Sequence, residues 1–197
     1  MGTSTTIIDQ NNKTTKHEFD KEGHIKKITH PGNNIETFTY LLENGENKYG
    51  EQLGHTEVNG ASTTYTRDNR GNITKETHGD GSYKQYFYNG KNSLTKVIDE
   101  TGVVTDYAYD QDGITLLSIT KPLGEVTTFE YVNGSIKGLI GAETNGTNIR
   151  TEYTYDQYGN MIEEETGNNA KQYSYNAIGW LTEEIDANRK RYKLYTQ

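Results

Sequence analysis

One pattern recurs along the whole chain and limits what it can become. YTRDNRGNI at 65–73, YAYDQDGIT at 107–115, YTYDQYGNM at 153–161 and YSYNAIGWL at 173–181 are copies of one another. A looser copy is HEFDKEGHI at 17–25, and diverged copies are FTYLLENG at 38–45, YFYNGKNSL at 86–94 and FEYVNGSI at 129–136. The residue after the second aromatic position marks each copy: Asp20, Leu41, Asp68, Asn89, Asp110, Val132, Asp156 and Asn176. Successive markers stand 21, 27, 21, 21, 22, 24 and 20 residues apart. A fixed period of this length signals a tandem array, in which each unit buries its face only against its neighbours.

Each unit reads as a β-hairpin. The aromatic pairs Tyr86/Tyr88, Tyr107/Tyr109, Tyr153/Tyr155 and Tyr173/Tyr175 are spaced i, i+2, which puts both rings on one face of a strand. In another copy Tyr65 is followed two residues later by Arg67. No sustained i, i+3, i+4 apolar pattern supports a helix, and Gly recurs throughout. Asp-x-x-Gly then breaks the strand. A type I turn favours Asp or Asn first and Gly fourth, and a left-handed Gly there makes a three-residue loop with a bulge. Asp20 with Gly23, Asp68 with Gly71, Asp110 with Gly113, Asp156 with Gly159 and Asn176 with Gly179 fit this turn. Asn89-Gly90 and Asn133-Gly134 suggest a tighter two-residue turn. A second turn falls half a period later, at His30-Pro31-Gly32-Asn33, Gly79-Asp80-Gly81, Asp99-Glu100-Thr101-Gly102 and Lys121-Pro122-Leu123-Gly124.

The expected fold class is therefore all-β: tandem antiparallel hairpins forming a continuous sheet, which must twist and coil as it grows. Residues 1–16 read as an N-terminal flank or partial repeat and 17–197 as the array, with a lengthened loop near 43–60. Paired tyrosines are expected to stack into ladders along neighbouring strands. The hydrophobic fraction is 30%; exchanging the 16 Tyr for the 21 Gly makes it roughly 32%, against roughly 45–50% in average domains. A chain that packs with Tyr more than Leu suits a thin sheet with two solvated faces.

The Tyr-x-Tyr-Asp-x-x-Gly pattern resembles the YD repeats of the Rhs family. That family includes bacterial polymorphic toxins, the wall-associated protein of Bacillus-like bacteria, the B and C components of insecticidal toxin complexes, and the teneurins. The resemblance runs from about His17 to Leu194. It implies a spiralling sheet that forms the wall of a hollow shell, secreted or on the cell surface, which in the toxins encloses a C-terminal toxic domain. The partners it implies are further YD repeats and that toxin domain. Toxin-type shells end in an Asp-Pro-x-Gly motif. Here Pro31 follows His30 and Pro122 follows Lys121, so the self-cleaving segment is not expected. About eight repeats would make a curved sheet or short spiral rather than a closed container.

Other chemistry finds little support. With no Cys, disulfides and thiol catalysis are excluded. The net charge of −8 disfavours nucleic acid, and the Arg189-Lys190-Arg191 run reads as a solvated chain end. No apolar stretch is long enough for a membrane helix, and Met1-Gly2 followed by Thr and Ser does not read as a secretory leader. His17, His24, His30, His55 and His78 lack metal-ligand spacing and read as exposed sheet residues, although His17 and His24 flank one hairpin. Glu163-Glu164-Glu165 and Glu183-Glu184 read as solvated strand faces rather than a glycosidase pair. One Asp per turn cannot supply the oxygens of a Ca²⁺ site. No catalytic, cofactor or metal residue is expected, and no enzyme. The single Trp180, just after Gly179, is a packing anchor or a possible ligand platform. Scaffolding is the favoured function; the alternative is binding of cell-wall glycan or a surface receptor.

Overall fold

The computed structural model describes residues 2–42, 50–133 and 138–194. It is all-β apart from one short 3-10 turn at Pro122–Gly124. The chain divides into two compact units: residues 1–88 with 97–103, and residues 89–96 with 104–197.

The first unit contains β1 (Ser4–Ile8), β2 (Thr14–Phe19), β3 (Ile25–Thr29), β4 (Ile35–Tyr40), β5 (Gln52–Thr56), β6 (Ser62–Arg67), β7 (Ile73–His78) and β8 (Tyr83–Tyr88). Each pairs antiparallel with the next in chain order. β9 (Leu94–Ile98) has residues in both units. The second unit continues with β10 (Val104–Tyr109), β11 (Leu116–Thr120), β12 (Val126–Tyr131), β13 (Ile140–Thr144), β14 (Arg150–Tyr155), β15 (Met161–Thr166), β16 (Asn169–Tyr175), β17 (Leu181–Ile185) and β18 (Arg191–Lys193), again antiparallel in chain order. The fold is thus an open antiparallel array of tandem hairpins, as the period implied.

Along the aromatic strands, burial alternates. In β10 Tyr107 and Tyr109 are half-buried while Asp106 and Ala108 are exposed, and β14 repeats this with Tyr153 and Tyr155. The sheet is thin. Ala142 is the one buried hydrophobic side chain among the described residues. In register, Glu130 and Glu152 flank it on β12 and β14. Arg150 bonds both carboxylates, to Glu130 at 2.9 Å and to Glu152 at 2.9 Å, and so roofs the small side chain between them.

Among the described residues the expected tyrosine ladders are not seen. Rings meet at His17 with Phe19, His24 with Tyr40, and Phe38 with His55, and none of these contacts joins two tyrosines. The reason is spacing. Each aromatic strand alternates with a non-aromatic one, so like rings stand two strands, about 9–10 Å, apart. Tyr107 faces Ile119 in register, Tyr153 faces Glu164 and Tyr173 faces Glu184.

Of the segment read as a lengthened loop near 43–60, residues 43–49 lie outside the described residues, as does Gly134. Gln52–Thr56 form β5, and Glu57–Gly60 close a turn. The N-terminal flank, residues 1–16, carries β1 and the start of β2.

Candidate functional site

In the repeats whose turns are described, the signature residues converge on one small piece of geometry at the hairpin end. The turn comes first. Asp156 Oδ1 accepts the backbone N–H of Tyr158 at 2.8 Å and of Asn160 at 2.9 Å, while Oδ2 accepts the Asn160 amide at 2.8 Å. Gly159 donates its N–H back to the Asp156 carbonyl and sits at φ 88°, where a side chain would be strained. Asp68 with Gly71, Asp20 with Gly23, and Asn176 with Gly179 repeat the arrangement. These bonds favour the ionised carboxyl. The Asn72 amide, aided by the backbone bonds, holds Asp68 below the ordinary carboxylate value, and Asn160 does the same for Asp156.

The Asp110 loop is one residue wider. Asp110 bonds across to Thr115, Gly113 keeps a positive φ, and Ile114 is left exposed. That residue accounts for the 22-residue step that follows. Asn89 corrects the expectation of a two-residue turn. Asn89 N–H pairs with Ser93 O, Asn92 donates to Asn89 O, and the left-handed position falls on Asn92 (φ 65°), not on Gly90. An Asn side chain bonds its own backbone well enough to take the conformation that Gly takes elsewhere. Sequence reading also missed that half-period turns use the same Asx geometry, at Asp9, Asn145 and Asp186.

The second aromatic closes the site. Its hydroxyl reaches back to a carbonyl of the preceding hairpin: Tyr40 to Ile25, Tyr88 to Ile73, Tyr109 to Leu94, Tyr131 to Leu116, Tyr155 to Ile140 and Tyr175 to Met161, all at 2.7–2.9 Å. At Ile25, Ile73, Leu116, Ile140 and Met161 the target residue opens a β-bulge. Tyr131, for example, pairs with Ile140 and Glu130 with Ala142, so Gly141 is skipped. Ile140 also lies beyond the last β13–β14 pair, Ala142 with Glu152, so its carbonyl lacks a ladder donor on that side. The phenol supplies it. Arg67 holds the same position in its copy and does the same work. Its guanidinium bonds Gln52 O at 3.1 Å and Gly71 O at 2.7 Å.

The first aromatics have a different environment. Burial, with the Glu76 hydrogen bond at 2.9 Å behind it, pushes the Tyr86 phenol up to about 12. Burial, with the Glu164 and Glu184 carboxylates, does likewise for Tyr173. Glu164 therefore stands half-buried on the tyrosine face rather than on a solvated one. The same face carries the first aromatic Tyr65, paired in register with Glu76.

The histidines are more engaged than expected. His17 pairs in register with Ile28 and does not meet His24, which bonds Asp20 at 3.2 Å. His30 and His55 flank the Glu36 carboxylate at 2.8 and 3.4 Å, and the His30 bond first, then His55, holds that carboxyl below its ordinary value. His78 bonds Glu100 at 3.2 Å, which Lys84 also approaches. No group of three ligating side chains that could hold a metal occurs among the described residues. Nor, among them, is any helix long and apolar enough to cross a membrane.

At the turn ends of the β14–β15 and β16–β17 hairpins lies an open groove of about 620 Å³ lined by Asp156, Tyr158, Asn160, Tyr173 and Ile178 among others. Tyr158 is 78% exposed and Ile178 70%. Trp180 is 53% exposed and is not part of the lining.

Asx turns, bulges and phenol-to-carbonyl ties repeated along an open antiparallel array define a tandem hairpin-repeat protein. Part of the chain is similar to the Rhs repeat. Residues 47–83 match the family model of the RHS repeat. The tRNA nuclease WapA of Bacillus subtilis (strain 168) is 28% identical over 203 residues, which cover 98% of this chain. The fold is similar to a chain of the Photorhabdus luminescens Tc holotoxin pore (TM-score 0.66, 15% identity, 96% of this chain). It is also similar to a chain of the TcdB2-TccC3 structure (TM-score 0.63, 15% identity, 93% of this chain). The chain spans 8% of the length of WapA, and 13% and 12% of those two structures' chains.

Proposed function

We propose that this chain is a non-catalytic segment of the shell wall of a secreted or surface Rhs-type protein, one that encloses a C-terminal toxin. The observation that carries this reading is where the signature side chains spend their bonding capacity. The Asx oxygens hold their own turn, and the second tyrosine holds the previous hairpin. A side chain committed to its own scaffold contributes to a wall and leaves little for a substrate. The fold's likeness to chains of toxin-complex structures supports the same reading. The family's nuclease relative names an activity for a far longer protein. In this reading that activity lies outside the segment matched here.

A second reading rests on the groove beside Tyr158 and Ile178, with Trp180 nearby in sequence. Exposed aromatic rings next to amide and carboxylate groups suit the faces and hydroxyls of a sugar, so the turn ends would contact cell-wall glycan.

One experiment separates these readings. The purified chain is incubated with isolated bacterial cell walls, with a glycan panel and with tRNA, alongside Trp180→Ala and Tyr158→Ala. Neither retention nor cleavage is expected for a wall segment. Saturable retention lost in either variant would transfer the function to glycan binding. Cleavage of tRNA by the chain would overturn the non-catalytic reading.

A further inference from the structure

The chain holds five Asn-Gly pairs, and those at 59–60, 89–90 and 145–146 lie wholly within the described residues. Asn-Gly is the pair most prone to spontaneous ring closure, because glycine leaves the following backbone nitrogen unhindered. Whether a folded pair reacts depends on two groups: the glycine N–H, which attacks, and the asparagine amide, which leaves.

The three pairs differ in how these groups are held. At 59–60 both are engaged. Gly60 N–H donates to Glu57 O at 2.9 Å, and the Asn59 amide points to the Glu57 carboxylate at 3.4 Å. At 89–90 the leaving amide is tied to the next hairpin, with Asn89 Nδ2 donating to Gly113 O at 2.8 Å. At 145–146 neither the Asn145 amide nor the Gly146 N–H makes a hydrogen bond among the described residues. Only Asn145 Oδ1 is used, accepting Thr147 N–H at 3.0 Å, Thr147 Oγ1 at 2.8 Å and Ile149 N–H at 3.0 Å.

The array also contains the product in advance. Asp99 occupies the equivalent half-period turn, and its Oδ1 accepts Thr101 N–H at 2.9 Å, Thr101 Oγ1 at 2.7 Å and Val103 N–H at 2.9 Å. The bonding at Asn145 is the same, residue for residue. An aspartate at 145 therefore keeps every contact. At 89 it would set a carboxylate against the Gly113 carbonyl. Packing keeps the reactive glycine in place as well, since a Cβ on Gly146 would collide with the Glu125 side chain.

We propose that Asn145 is a site of spontaneous deamidation whose aspartate product the hairpin accepts, while Asn59 and Asn89 are protected by the fold. Gly146 N attacks Asn145 Cγ, forming the N–Cγ bond. The Cγ–Nδ2 bond breaks, and ammonia leaves with the proton from the glycine nitrogen. Water then opens the succinimide, giving aspartate when it adds at Cγ and isoaspartate when it adds at the backbone carbonyl carbon.

The test is to hold the full chain, folded, in mildly alkaline buffer and follow all three pairs by peptide mass analysis that separates aspartate from isoaspartate. A second sample is kept in denaturant. The expected result is conversion at Asn145 several-fold faster than at Asn59 or Asn89 in the folded chain, with the three alike in denaturant. Conversion of Asn59 or Asn89 as fast as Asn145 in the folded chain would overturn the proposal. So would an Asn145 that reacts only in denaturant. Asn145→Asp is expected to unfold at the wild-type denaturant midpoint and Asn89→Asp at a lower one; a reversed order would also overturn it.

Discussion

The Tyr155 hydroxyl donates a 2.9 Å hydrogen bond to the carbonyl of Ile140, fifteen residues earlier and in the preceding hairpin. Ile140 opens a bulge, and its carbonyl would otherwise face β14 without a donor. Tyr155→Phe removes the donor and leaves the ring. The expected cost is about 1–2 kcal/mol, the penalty for a half-buried carbonyl left unpaired. Denaturant unfolding checks it, with Tyr65→Phe as the comparison; that substitution is expected to cost less.

Arg67 tests whether the tie or the phenol matters. Arg67→Tyr restores the form used in the other copies and is expected to be nearly neutral. Arg67→Leu loses the bonds to Gln52 O and Gly71 O and is expected to cost about 1–3 kcal/mol. Equal losses in the two variants would show that the guanidinium's charge, rather than its reach, is what the site uses.

Leu123 sits at φ 68° and is fully exposed, in a turn where the corresponding residue of the His30 turn is Gly32. A side chain in the left-handed region costs about 1–2 kcal/mol, and glycine returns part of that as backbone entropy. Leu123→Gly is therefore expected to stabilise the chain by about 0.5–1 kcal/mol in thermal or denaturant unfolding. The reverse change, Gly32→Leu, is expected to destabilise it.

Acid and alkali should each weaken the array. The turn carboxyls of Asp68, Asp99 and Asp156 are held below their ordinary value of 3.8. Their contribution is present above that value and lost as pH falls through the lower folded-state values. Tyr86 and Tyr173 are raised from 10.0 to about 12, so theirs is present below pH 10 and lost as pH rises toward 12. Unfolding midpoints across pH, with tyrosinate absorbance on the alkaline side, check both arms. Tyr173→Phe should flatten the alkaline one.

Most of what depends on a few adjacent residues was legible in the sequence, the Asn89 turn being an exception because Asn92 rather than Gly90 takes its left-handed position. Aromatics two apart share a strand face, and Asp-x-x-Gly bends the backbone between strands, because both effects are written in local dihedrals and short hydrogen bonds. Antiparallel pairing of consecutive hairpins follows once the turns are that tight. The remainder lies across strands. The reach of Tyr155 to Ile140, the use of Arg67 in place of a phenol, the Glu36 carboxylate between His30 and His55, and the separation of the tyrosines all depend on register and on where bulges skip a residue. A bulge shifts which carbonyl is left open without changing the turn signature. Its consequence, a hydroxyl needed fifteen residues later, becomes legible only when neighbouring hairpins are laid side by side.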